Sequence, residues 1–102
     1  MPAKTKQKNY RLEKDLEKAI GVWCKKNGYY WRKFVSTSHR GVPDRIAISP
    51  TGGVGFLELK RKGNKPTDLQ VKEIMDILEH QGNANWFDNY EDAITFLEGL
   101  RS

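Results

Sequence analysis

The sequence predicts a mixed α/β domain, a small sheet with helices packed on it in the order α-β-β-β-α-β-α. Three observations carry that prediction. Apolar residues recur at helical spacing near the start, at Leu12, Leu16, Ile20 and Trp23. Two strand-like runs, Arg45–Ser49 and Val54–Arg61, flank the turn residues Pro50-Thr51-Gly52-Gly53, which predicts an antiparallel hairpin. After them, a helical pattern, a short apolar run and a second helical pattern complete the chain.

Taken in order, residues 1–9 (MPAKTKQKN) lack apolar periodicity and carry Lys4, Lys6 and Lys8, so they read as a disordered basic arm. Residues 10–102 then form a single domain, as expected for a 102-residue chain. Residues 10–26 are an amphipathic helix ended by Asn27-Gly28. Tyr29 to Val35, aromatic and β-branched, is a first strand, and Ser36 to Val42 is a polar loop. After the hairpin, Thr67 starts a helix running to about His80, with Leu69, Ile74, Ile77 and Leu78 on or near its buried side and Gly82 ending it. Ala84 to Phe87 is a fourth strand. Asp88 or Asn89 caps a last helix through about Leu97, and Arg101-Ser102 is expected to fray.

Charge is distributed unevenly. Residues 1–65 carry 16 Lys/Arg against 5 Asp/Glu, whereas residues 66–102 carry 2 against 8. A block this basic suits a polyanion, and carboxylates retained within it are conspicuous because they repel phosphates. The rival reading is a surface of solvated lysines. No apolar run approaches the roughly 20 residues of a membrane span, and the N-terminus lacks the apolar segment of a signal peptide. Cys24 is the single cysteine, so an intramolecular disulfide and a cysteine zinc site are excluded, and a reducing, cytoplasmic setting is expected. Beside Trp23 it reads as a packing residue. Trp23, Trp31 and Trp86 fall on predicted buried faces or strand ends, and at least two belong to the core.

The chemistry concentrates in Gly41-Val42-Pro43-Asp44 and Phe56-Leu57-Glu58-Leu59-Lys60. Strand alternation turns Glu58 and Lys60 to one face and Leu57 and Leu59 to the other, and the hairpin can bring Asp44 beside the charged face. Two carboxylates ~4 Å apart repel by roughly 4 kcal/mol at an effective dielectric of 20, so they need a neutraliser. A hard divalent cation supplies one, and oxygen ligands suit Mg²⁺ or Mn²⁺ rather than zinc. Lys60 can orient or help deprotonate a water, or stabilise a phosphate transition state. A solvent-facing hairpin with a cross-strand salt bridge is the plainer alternative. Lys33, Ser36, Ser38, His39 and Arg40 lead into Asp44, and Arg61, Lys62 and Lys65 follow Lys60. These are the candidate DNA contacts, although His39 could equally be a simple exposed side chain.

The run GVPDRIAIS…GFLELKRKGNKPTDLQ resembles the virus-type replication-repair nuclease (VRR-NUC) family of the PD-(D/E)xK superfamily, over about Leu12 to Phe87. The resemblance implies a restriction-endonuclease-like mixed sheet flanked by helices. It also implies that Asp44 and Glu58 hold the metal together with the main-chain carbonyl of Leu59, and that Lys60 assists the water. A first-helix glutamate and a glutamine after Glu-x-Lys complete the family pattern, matching Glu17 and Gln70. Glu13 is the rival for the first position, with Glu17 favoured as nearer the helix middle. Gln70 also completes a Thr67-x-x-Gln70 capping box, and the two roles can coexist.

The function the resemblance implies is Mg²⁺- or Mn²⁺-dependent endonucleolytic hydrolysis of DNA, leaving 5′-phosphates. Branched DNA, Holliday junctions foremost, is the expected substrate and a homodimer the expected working unit. Tyr29, Tyr30, Trp31 and Phe34 could contribute to its interface as well as to the core. The alternatives are a nicking or end-processing nuclease without junction preference, and a non-catalytic DNA-binding module.

Overall fold

A computed structural model describes residues 10–102; the expected basic arm, residues 1–9, lies outside them. The order is α1 (Glu13–Lys26), β1 (Tyr30–Lys33), β2 (Arg45–Ile48), β3 (Val54–Leu59), α2 (Asp68–Glu79), β4 (Ala84–Phe87) and α3 (Tyr90–Gly99), as the sequence predicts. The four strands form one sheet in the order β1-β2-β3-β4. The first two pairings are antiparallel, and β4 pairs parallel to β3, which requires the α2 crossover.

The two faces of β3 divide the molecule. Leu57 and Leu59 are fully buried against the Leu16, Ile20 and Cys24 stripe of α1 and against Ala93, Leu97 and Leu100 of the α3 segment. Burying each such leucine contributes about 2 kcal/mol. The Tyr29 hydroxyl donates to the Leu97 carbonyl at 2.6 Å, fastening the end of α1 to α3. On the opposite face, Phe56 and Glu58 look toward α2: Phe56 shares a cavity of about 310 Å³ with Glu73 and Ile77. Cys24 is wholly buried in the core, and burial pushes its thiol up to about 12, so it packs and does not react.

Several boundaries differ from expectation. α1 begins at Glu13, because Leu12 has extended backbone at the N-cap. Strand β1 is four residues long; at its end the Phe34 amide donates to the Asp44 carbonyl. Lys60 and Arg61 lie beyond β3, although the Lys60 amide still donates to the Phe87 carbonyl. Leu69 and Leu78, placed on the buried side of α2 by sequence, are each 44% exposed. The true inner face carries Gln70, Glu73, Ile74 and Ile77, all buried or half-buried. The C-terminal segment does not fray in the expected way. The Ser49 hydroxyl donates to the Leu100 carbonyl and the Thr51 hydroxyl to that of Arg101.

Helices α1 and α2 end on the same hydrogen-bond pattern with different residues. After α1, Gly28 takes the left-handed position (φ 77°) and the Tyr29 amide reaches back to the Cys24 carbonyl. After α2 the left-handed residue is Gln81 (φ 68°), not Gly82, and the Gly82 amide reaches back to Ile77. Gly82 is needed for space instead: a β-carbon there would lie 2.6 Å from the Ile77 methyl.

Candidate active site

Glu58 stands at the centre of the site, in the middle of the sheet and on its α2 face. Its side chain is 2% exposed, with Lys60 Nζ 3.6 Å from Oε2. Gln70 Nε2 donates to the same oxygen at 3.2 Å. Gln70 thus both closes the capping box of α2 and touches Glu58. Its Oε1 accepts from the Thr67 amide while the Thr67 hydroxyl accepts from the Gln70 amide, so the capping box fixes which end of the side-chain amide faces Glu58. The other oxygen, Oε1 of Glu58, is buried and, while both Glu58 and Asp44 are ionised, has no hydrogen-bond partner among the described residues. Burial pushes the Glu58 carboxyl up to about 7. Asp44 adds to the shift by its charge and a shared hydrogen bond, and Lys60 opposes it. Asp44 and Glu58 are therefore brought together as the sequence anticipates.

The first-helix carboxylate in this group is Glu13. Its carboxyl is raised first by burial and then by Asp44, with Lys60 opposing, and it acts in turn on Glu58. Glu17, one turn along, is engaged elsewhere: its carboxylate meets Arg45 Nη2 at 3.0 Å. Strand alternation explains the division. Arg45 pairs with Leu57 and shares its face, toward α1, whereas Asp44 precedes it on the Glu58 side.

Leu59 contributes main chain only, since its side chain is in the core. The amides of Phe56 and Lys60 donate to Asn83 and Phe87 on the β4 side, so the main-chain groups of Leu57 and Leu59 turn toward β2. Continuing the Arg45–Leu57 register sets Leu59 opposite Pro43, which has no N–H to donate. The proline before Asp44 thus withholds the ladder bond that would occupy the Leu59 carbonyl.

Among the described residues no group of three His, Cys, Asp or Glu side chains is arranged to hold a metal by itself. The donors present are two adjacent carboxylates, one with an orphaned oxygen, and a carbonyl freed from the ladder. That set fits a hard cation of the Mg²⁺ type, which keeps several waters and takes only one or two protein carboxylates.

The candidate DNA contacts flank this site along the chain. Lys33, Ser38 and Arg40 are exposed before Asp44, and Arg61, Lys62 and Lys65 are exposed after Lys60. Two of the set are already engaged. The Ser36 hydroxyl accepts from the His39 amide at 3.2 Å. His39 Nε2 lies 2.6 Å from Glu73 Oε2 on α2. Glu73 was missed by the sequence reading, although its signal was present: an acid one turn after Gln70 and one turn before Ile77, inside an apolar stripe.

A solved VRR_NUC domain superposes on 84% of this chain and 94% of its own length, with a TM-score of 0.76 and 23% identity. The chain has the VRR_NUC fold. The VRR_NUC likeness comes from shape, and a separate likeness comes from sequence: "Putative nuclease p44" of Acyrthosiphon pisum secondary endosymbiont phage 1 is 43% identical over 61 residues, 60% of this chain. The chain spans 66% of that relative's length. No family model matches the chain. Among the described residues no helix of this VRR_NUC fold is long and apolar enough to cross a membrane.

Proposed function

We propose that this domain is a metal-dependent deoxyribonuclease that hydrolyses phosphodiester bonds, selective for branched DNA with Holliday junctions as the leading substrate. The observation that carries the reading is Glu58: a carboxylate held almost dry beside Asp44, with one oxygen positioned by Gln70 and Lys60 and the other left unbonded. A buried carboxylate pair that Lys60 neutralises only in part costs free energy unless a further cation joins it. The fold shared with a VRR_NUC domain and the name of the phage relative agree with nuclease chemistry.

Asp44, Glu58 and the Leu59 carbonyl would hold Mg²⁺ or Mn²⁺, with Glu13, whose charge interacts with both Asp44 and Glu58, as the first-helix carboxylate in preference to Glu17, which Arg45 holds. Such an ion would supply Lewis-acid polarisation of the scissile phosphate. Lys60 sets a positive charge beside Glu58, where it orients the attacking water and offsets charge developing on phosphorus oxygens. Gln70 fixes Glu58 against rotation. The exposed cations before Asp44 and after Lys60 position the strand by its phosphates. The phage origin of the nuclease relative supports the cytoplasm of a bacterial or phage-infected cell as the setting.

A symmetric junction needs two cuts, and a homodimer is the simplest source of a second site. Of the four aromatic residues considered for its interface, Tyr29 is in the core, Trp31 packs against it, Phe34 lies edge-on to Phe56, and Tyr30 is exposed with Arg32 over its ring. A better surface is α2, where Val71, Met75 and Leu78 form an exposed apolar stripe at helical spacing, packed beside the edge strand β4. Antiparallel pairing of two such helices about Met75 would bring Lys72 of each near Glu79 of the other.

The test is cleavage of linear duplex, flap and four-way substrates in Mg²⁺, Mn²⁺ or EDTA, with light scattering on the same protein. Asp44→Asn should cut nothing yet bind DNA at least as well. Full cleavage by that variant would remove the site assignment, and a monomer cutting one strand would remove the junction reading.

A further inference from the structure

The loop that delivers Asp44 rests on α2 at two places, and only one is explained by packing. At Gly41 (φ 88°) the backbone crosses so close to α2 that a β-carbon would lie 2.9 Å from the Leu69 carbonyl. At the loop's midpoint His39 reaches across to Glu73, whose side chain is only 12% exposed although that of His39 is 62% exposed. A carboxylate on the inner face of a helix, among Phe56, Ile74 and Ile77, is costly unless paired. Its partner comes from a solvent-facing loop whose ends are already joined by the Phe34–Asp44 hydrogen bond.

Position gives the pair its meaning. His39 lies five residues before Asp44, and Glu73 lies one helical turn after Gln70, which holds Glu58. The His39–Glu73 bond therefore ties the segment carrying one carboxylate to the helix that orients the other. Resting on the nuclease reading above, we propose that His39 and Glu73 are a positioning pair that fixes Asp44 relative to Glu58, and that His39 is not a phosphate contact. The Ser36 hydroxyl, accepting from the His39 amide, holds the histidine backbone in the conformation that makes the reach.

The test compares wild type, His39→Ala and His39→Gln in steady-state cleavage with Mg²⁺, and in amide hydrogen exchange of metal-free protein. His39→Ala should lower kcat about tenfold, the loss expected when a reacting group is misplaced by a fraction of an ångström, with KM little changed and Tm lowered by the unpaired Glu73. Residues 36–43 should exchange faster in the same variant. His39→Gln can still donate to Glu73, so it should recover most of kcat and the slow exchange. A raised KM with unchanged kcat would make His39 a DNA contact and overturn the proposal. Unchanged exchange in the loop would overturn it even if the protein cut no DNA. Absence of cleavage by wild type, with exchange altered as expected, would fault the nuclease reading alone.

Discussion

Replacing Glu58 with glutamine should make the metal-free protein more stable at pH 8, although it removes a residue from the centre of the sheet. Burial, reinforced by Asp44, raises the folded carboxyl to about 7 from an ordinary 4.5. Between those values the folded state keeps a proton that the unfolded chain has released. Stability present in acid therefore falls as pH rises through this window and stays low above it. At about 1.4 kcal/mol per pH unit, the charged folded form is destabilised by at most about 3 kcal/mol. The Lys60 attraction is part of that balance and is lost with the charge. Glutamine keeps an acceptor for Gln70 and gains a donor toward Asp44, so a net gain of about 1–3 kcal/mol, or ~5–15 °C in Tm, is expected. Thermal melts at pH 5 and pH 8 in EDTA check this: the variant should lead at pH 8, and the two proteins should converge at pH 5. Added Mg²⁺ should raise the wild-type Tm and leave the variant nearly unmoved. A variant less stable than wild type at pH 8, or one with the same advantage at pH 5, would refute the account of Glu58.

Other substitutions probe the surrounding parts. Glu13→Gln should reduce cleavage without a large loss of Tm. Glu17→Gln should mainly cost stability, about 1–2 kcal/mol in urea unfolding, by weakening the hold on the half-buried Arg45. Gly41→Ala should both destabilise and slow cleavage, losing about 1–3 kcal/mol because φ is 88° and Leu69 blocks the β-carbon. Gln81→Gly should stabilise by roughly 0.5–1 kcal/mol, since it relieves a left-handed residue that contacts nothing essential to the site.

The element order and the Asp44–Glu58–Lys60 grouping were legible because strand alternation and a tight turn are local rules. Their outcome does not depend on what the rest of the chain does. The partners of Glu13 and Glu17 were not legible locally. They depend on Arg45 turning toward α1 and pairing with Glu17, which follows from a strand register that the helix sequence does not contain. The same limit applies to α2. Its stripe could be read as Leu69, Ile74, Ile77 and Leu78 or as Gln70, Glu73, Ile74 and Ile77, and hydrophobicity alone favours the first. The second prevails because Gln70 and Glu73 find partners in Glu58 and His39. Pro43 was legible as a motif letter, and its effect on the Leu59 carbonyl became visible only with the register in hand.

The bond from Tyr29 to Leu97 has a consequence for how the protein comes into being. Every side chain proposed for the active site precedes β4 and α3 in the chain, whereas α3 covers the Leu57 and Leu59 face of the strand on which Glu58 stands. A ribosome adding about 5–20 residues per second thus completes the reactive segment before the layer that supports it. Until Ala93 and Leu97 arrive, the leucines behind Glu58 are bare and Tyr29 has no carbonyl to hold. Among the described elements, the layer that backs the Glu58 strand is thus the last to be made, after every group proposed for the site is already in the chain.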